Sequence, residues 1–143
     1  MQEQNIVFLG AGNMARALIA GIRKQGFPAQ KIQVHAPHPQ RRDALAAEFG
    51  IQSCNAEPCA LPMGAIVVYA AKPKQVRAVL SAWAQPLRDA QALLISVAAG
   101  IRVSALQQLV PDVDVLRVMP NTPRSTSNTS LPPNSLVLAR PGV

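Results

Sequence analysis

Aromatic side chains are scarce in this chain: three Phe, one Tyr and one Trp among 143 residues. So few rings cannot furnish the stacking platforms of a single-stranded nucleic-acid surface, and the basic residues are scattered, so no nucleic-acid partner is expected. Carboxylates are also few, seven against fourteen Lys and Arg, for a net charge of +7. No paired acids, no Ser-His-Asp set and no spaced group of His and Cys stands out. No metal site is therefore expected, and no catalytic acid or base is assigned. The two cysteines, Cys54 and Cys59, read as small buried or half-buried thiols of a reducing compartment. Long apolar runs are missing too. Nothing approaches the roughly 20 residues of a membrane span, and residues 1–5 lack the basic start and apolar centre of a signal peptide. A cytoplasmic protein without membrane contact is expected.

What the chain does have is Ala, Val, Leu and Ile, which make up most of a hydrophobic fraction of 49%. That palette suits strands covered on both faces by closely packed helices, and the length suits one domain. The organising stretch is Ile6-Val7-Phe8-Leu9-Gly10-Ala11-Gly12-Asn13-Met14-Ala15: an apolar run, a glycine pair, then a helical pattern. Gly10 lets the chain turn sharply off a strand, and Gly12 presents no side chain to a pyrophosphate. Ala15 takes the third small position, where helix and strand pack closely. The N–H groups of Asn13, Met14 and Ala15 then open a helix at its positive end, a site for an anion. Two other readings of the glycines, a turn with no ligand and a methyltransferase-type loop, fit the flanking strand and helix less well.

Strands are expected at 6–9, 32–35, 51–54, 65–71, 93–97 and 113–118. Helices are expected from Asn13 to about Lys24, from Pro39 to Phe49, after Pro73 with Val76, Val79, Leu80 and Trp83 at core spacing, and from Val103 to Leu109. Residues 55–64, with two prolines, form at most a turn of helix. Six strands alternating with helices imply an α/β fold, a doubly wound parallel sheet of Rossmann type with helices on both faces. The loops at 10–14, 36–39, 70–73, 98–100 and 119–123 each follow the carboxyl end of a strand, the edge where such sheets bind ligands.

The second strand also bears on which nicotinamide cofactor is bound. An acid there takes a ribose 2′-hydroxyl, whereas a 2′-phosphate calls for no acid and a nearby Arg. Here Ala36-Pro37-His38-Pro39 carries no acid, and Arg41 and Arg42 follow at once. NADP(H) is expected over NAD(H), because guanidinium pairs with phosphate through two charged hydrogen bonds. The alternative for Arg41 and Arg42 is an ordinary solvated first-turn pair. His38 either touches the adenosine or stays an exposed loop side chain.

Four motifs, Phe8-Leu9-Gly10-Ala11-Gly12-Asn13-Met14, Ala70-Ala71-Lys72-Pro73, Ile95-Ser96-Val97-Ala98-Ala99-Gly100-Ile101 and Arg117-Val118-Met119-Pro120-Asn121-Thr122-Pro123, resemble the amino-terminal half of the pyrroline-5-carboxylate reductase family. The resemblance implies NADPH-dependent reduction of L-1-pyrroline-5-carboxylate to L-proline, the last step of proline biosynthesis, and a homo-oligomer in the family. It implies that Leu9, Gly10, Ala11, Gly12, Asn13 and Met14 hold the pyrophosphate and that Pro37, His38 and Pro39 lie by the adenosine. By the same resemblance Asn55 touches the adenine ribose, while Ala70, Ala71, Lys72, Pro73, Ala98, Ala99 and Gly100 line the nicotinamide side. Asn121 would sit where cofactor and imine substrate meet. Lys72 reads equally as a helix-start lysine in water, Pro120 and Pro123 as loop stiffeners, and Thr122 as a local backbone cap.

The resemblance stops after Pro123, where family members continue into a helical domain that makes the dimer and completes the substrate pocket. A cofactor domain over 1–123 and a polar, loosely packed tail over 124–143 are expected, with Leu136-Val137-Leu138 able to add an edge strand. The chain is therefore read as truncated, and two functions follow: a reductase of the family, or a module that holds NADP(H) without turnover. A related NADP-dependent oxidoreductase with another substrate is a further alternative, against which residues 119–123 argue. A bare cofactor domain would expose apolar surface where the second domain docks, so self-association or poor solubility is expected.

Overall fold

The computed structural model of the chain describes residues 4–118 and the backbone of the strand at 136–139. Its short apolar runs become strands β1 (Ile6–Leu9), β2 (Ile32–His35), β3 (Gln52–Cys54), β4 (Ile66–Tyr69), β5 (Leu93–Ser96), β6 (Asp114–Val118) and β7 (Leu136–Ala139). The first six run parallel in one sheet of order β3-β2-β1-β4-β5-β6, and β7 closes it antiparallel to β6. The edge strand expected at 136–138 is thus present. The rest of the tail, the 119–123 loop and Asn121 lie outside the described residues.

The helices α1 (Asn13–Lys24), α2 (Pro39–Phe49), α3 (Val76–Asp89) and α4 (Val103–Leu109) fall where the apolar spacing put them. A 3-10 turn, Pro73–Gln75, precedes α3, so the expected helix after Lys72 starts tighter and becomes α-helical only at Val76. Residues 55–64 form no helix. Cys54 is half-buried as expected, but Cys59 is exposed, because it lies on that irregular stretch rather than on a strand.

Alternation along the strands divides the core. Val7, Leu9, Val67, Tyr69, Leu94 and Val115 pack against Leu80, Trp83 and Leu87 of α3 and Leu106 of α4. Phe8, Ile32, Val34 and Val68 pack against Ala15 and Ile19 of α1 and Leu45 of α2. Each face of the sheet is therefore sealed by helices, which is why β1 and β4 contain almost nothing but buried apolar residues. Ala15 is fully buried, as close packing of α1 on the sheet requires.

The strand order reverses between β1 and β4, which are neighbours in the sheet but far apart in sequence. Gly10 leaves β1 at this point with φ +117°, and a Cβ there would lie 2.8 Å from Ala70 C and Ala71 N. Both the dihedral and the space exclude a side chain. Replacing Gly10 with Ala should cost about 3 kcal/mol, from a strained backbone and an overpacked contact. Urea denaturation checks this, and a variant of wild-type midpoint would refute it.

Candidate functional site

Between the carboxyl ends of β2, β1 and β4 lies a cleft of about 220 Å³ lined by Gly10, Ala11, Gly12, Ala36, Pro37, His38, Arg41, Ala70, Ala71, Lys72 and Gln75. Three of the five loops singled out in the sequence meet here, brought together because ladder bonds continue past the strand ends. Gly10 N–H donates to His35 O and Ala70 N–H to Leu9 O, both at 2.9 Å. Ala98, Ala99 and Gly100 follow β5, one strand further along, and do not line this cleft.

Gly12 is the N-cap of α1, with no side-chain cap, and the first helical bond runs from Arg16 N–H to Gly12 O at 3.0 Å. The N–H groups of the first turn therefore have no partner inside the helix. A Cβ on Gly12 would meet nothing closer than Arg41 Nη1, at 4.0 Å. Packing thus forbids a side chain at Gly10 but not at Gly12, where the bare backbone leaves room for a ligand. The residues fit a diphosphate on that observation.

Arg41 and Arg42 stand one helical step apart and do different work. Arg41 lines both the main cleft and an adjoining groove with Asn13, Arg16 and Glu48. Arg42 turns away, its Nη1 donating to Ala36 O at 2.7 Å, and so clamps the loop that follows β2. Arg16 is engaged by Glu48, to which its Nε and Nη2 donate at 3.0 and 2.5 Å, tying α1 to α2. That pairing raises the pKa of Arg16, chiefly through the side-chain hydrogen bond. Arg41 and Lys72 give the cleft a cationic rim beside His38, with no carboxylate in its lining among the described residues.

Sequence reasoning placed Tyr69, His35 and Trp83 only as strand or core residues and passed over Gln75. Tyr69 is fully buried, donates its hydroxyl to Lys72 O at 2.6 Å, and has its pKa pushed up to about 12 by burial. Its tip fixes the backbone where the 70–72 loop leaves the cleft. His35, 4% exposed, meets Trp83 edge-on with ring centres 4.9 Å apart. Its Nδ1 lies 2.9 Å from Asn55 O and its Nε2 2.8 Å from Gln33 Nε2. Beside the main cleft, His35 and Trp83 join Leu9, Gly10, Pro37, Ala56, Ala71 and Gln75 around a second cavity of about 270 Å³. No sequence motif marks these residues; only the alternation that points His35 toward α3 hints at the pairing.

Of the remaining expected site residues, Leu9 reaches the second cavity and Asn13 the adjoining groove. Met14, 36% exposed, lies in the first turn of α1, and Pro39 is the first residue of α2. Pro73 opens the 3-10 turn, and Asn55 sits on the exposed loop after β3. Among the described residues no group of His, Cys, Asp and Glu is placed to hold a metal ion, and no helix is long and apolar enough to cross a membrane.

A glycine turn feeding a helix at the reversal point of a doubly wound sheet defines a dinucleotide-binding domain of Rossmann type. Within that class the chain belongs to the family described as NADP oxidoreductase coenzyme F420-dependent, whose pattern matches residues 5–100. It is 40% identical over 124 residues to the pyrroline-5-carboxylate reductase of Pseudomonas aeruginosa, covering 86% of this chain and 45% of that protein. To the Escherichia coli enzyme of the same name it is 35% identical over 140 residues, covering 94% of this chain and 51% of that protein. An alignment covering 94% of this chain passes Pro123, so the similarity extends beyond that residue. The chain spans about half the length of the curated relatives it matches.

Solved structures agree. A pyrroline-5-carboxylate reductase of Coxiella burnetii superposes with TM-score 0.76 at 29% identity, over 86% of this chain and 46% of that one. The Plasmodium falciparum pyrroline carboxylate reductase with NADP bound superposes with TM-score 0.67 at 25% identity, over 86% and 44%.

Burial holds the pKa of His35 below its ordinary value, with the Asn55 carbonyl partly opposing. The folded protein thus binds this proton less readily than the unfolded chain. The stability this contributes is complete above about pH 6.5 and is lost as pH falls through the lower folded value. Between about pH 7.5 and about pH 5, the urea midpoint of wild type should fall further than that of His35→Gln. Parallel curves would refute this.

Proposed function

We propose that this chain binds NADP(H) in the cleft at the β1–β4 reversal and serves as the cofactor-holding part of a reductase that converts L-1-pyrroline-5-carboxylate to L-proline. The observation that carries the reading is Gly12: a helix N-terminus left bare where packing would admit a side chain, facing a rim of Arg41, His38 and Lys72. The first-turn N–H groups of α1 would hold the diphosphate, Arg41 the 2′-phosphate, and the loops at 36–38 and 70–72 the two flanks. When bound, NADPH supplies the hydride that reduces the imine carbon. The chain's own contribution is orientation, and no side chain of the cleft is assigned as a proton donor. The names of the relatives and the Asn121 motif support the imine as substrate.

A second reading, a module that holds the cofactor without turnover, is favoured by the absence of acid groups from the cleft lining among the described residues. Fluorescence titration with NADPH followed by an oxidation assay with pyrroline-5-carboxylate separates the two. Binding with turnover supports the reductase, binding without it supports the module, and no binding at millimolar nucleotide removes both.

Two substitutions test the assignment of parts. Gly12→Ala should change stability by no more than about 1 kcal/mol, since only the cap preference is altered, yet abolish measurable nucleotide binding. Retained affinity would show that the cap is not the diphosphate seat. Arg41→Ala should weaken NADPH by about tenfold or more, the loss of a charged hydrogen bond, and leave NADH nearly unchanged. Arg42→Ala, which loosens a loop, should affect both nucleotides alike. Equal losses of NADPH and NADH in the Arg41 variant would remove the preference for NADP(H).

A further inference from the structure

The most unusual buried group outside the glycine turn is His35. Burying an imidazole is costly unless both nitrogens are satisfied, and here they are. A backbone carbonyl can only accept, so Nδ1 carries the proton toward Asn55 O, and Nε2 accepts from the Gln33 amide. One tautomer of the neutral ring meets both partners, and Trp83 packs edge-on against it.

What the ring holds is the start of the loop after β3. That loop forms no helix, and it is tied to the second strand by Ala36 N–H to Cys54 O, at 3.3 Å, and by the His35 bond. Asn55 turns at once, its Oδ1 accepting from Glu57 N–H at 3.0 Å. With its carbonyl on His35 and its side-chain oxygen on Glu57, Asn55 keeps its amide Nδ2–H₂ as a free donor among the described residues. Ala56, the next residue, forms a wall of the cavity beside the cleft together with His35, Pro37 and Gln75.

We propose that His35 is a positioning residue for the adenosine end of the nucleotide: through Nδ1–H it fixes the turn at Asn55 and with it Ala56, the wall of the cavity beside the cleft. The inference rests on the nucleotide reading given above. His35 touches no ligand itself. It acts through the Asn55 backbone, and the register that sets it opposite Cys54 at the end of β2 brings the two within reach.

The test uses the full chain and two probes, NADPH and 2′,5′-ADP, the second carrying the adenosine end alone. Asparagine keeps an N–H near the place of Nδ1, whereas glutamine keeps only the reach toward Gln33. His35→Asn should bind both probes close to wild type, and His35→Gln should bind both about threefold to tenfold more weakly, the loss of one hydrogen bond in placing the turn. Calorimetric titration of variants checked for cooperative unfolding gives these values. Independently of any variant, the hydrogen-bonded His35 Nδ1 proton of wild type should shift in its NMR spectrum when 2′,5′-ADP saturates the site. Wild-type affinity in His35→Gln, a His35→Asn variant as weak as His35→Gln, or an unmoved Nδ1 resonance overturns the inference while leaving the cleft reading intact. Wild type that binds neither probe overturns both.

Discussion

The close approach of the turn after β1 to the backbone after β4 is the constraint on which the rest depends. At Gly10 the two segments stand so near that no Cβ fits between them, and the adjoining ladder bonds run on to His35 on one side and Ala70 on the other. Three strands therefore end at one level and release their loops around a single hollow. Because the contact is backbone on backbone, the floor of that hollow is made of peptide groups rather than side chains. Peptide N–H groups at a helix start are what an anionic group meets best when water is partly displaced.

Charge is arranged on this floor by the helices, not by the sheet. Neither α1 nor α2 carries an acid in its first turn, so neither helix start is neutralised by its own side chains. Glu48, the acid nearest the hollow among its groove residues, is taken up by Arg16 in a two-bond pair, which leaves Arg41 as the cation shared by groove and cleft. The pair between α1 and α2 thus sets the electrostatics of the rim as well as the packing of two helices. Being exposed, it is weak as a source of stability. Its effect lies in cancelling the carboxylate of the groove that adjoins the cleft.

Much of this was legible in the chain. The unbroken apolar runs of β1 and β4 mark strands buried on both faces, and the sharp turn expected at Gly10 is made with a positive φ. The split between Arg41 and Arg42 was not legible, since adjacent residues on a helix differ by about 100° in direction and nothing local says which one faces inward. The place of the 98–100 loop was hidden for another reason. Strand order, not sequence order, decides that β5 lies one strand spacing beyond the cleft, and only the pairing of β4 with β1 reveals it. His35 carries no signature because its role arises from register, and Gln75 because it reaches the cleft from the 3-10 turn before α3.

Register also explains why polar groups appear where they do on the face covered by α3 and α4. At one level across the sheet stand Gln33, Val7, Val67, Leu94 and Val115; two residues on, at the carboxyl edge, stand His35, Leu9, Tyr69, Ser96 and Arg117. From β1 to β6 the face is apolar through its middle row and turns polar at its last, with Gln33 on β2 the polar member of the middle row. Two of those groups, the Tyr69 hydroxyl and the His35 Nδ1–H, hold carbonyls of the loops beyond the strands, at Lys72 and Asn55. Such bonds transmit the fixed spacing of the strands to loops that have no regular structure of their own. A rigid sheet thereby specifies the geometry of a mobile class of segment at the cost of burying two polar groups, each satisfied by the backbone it positions. Ser96 Oγ and Arg117 Nε, next in the row, are buried without a hydrogen-bond partner among the described residues, so the row that steadies the 55–57 and 70–72 loops is not closed on the β5–β6 side.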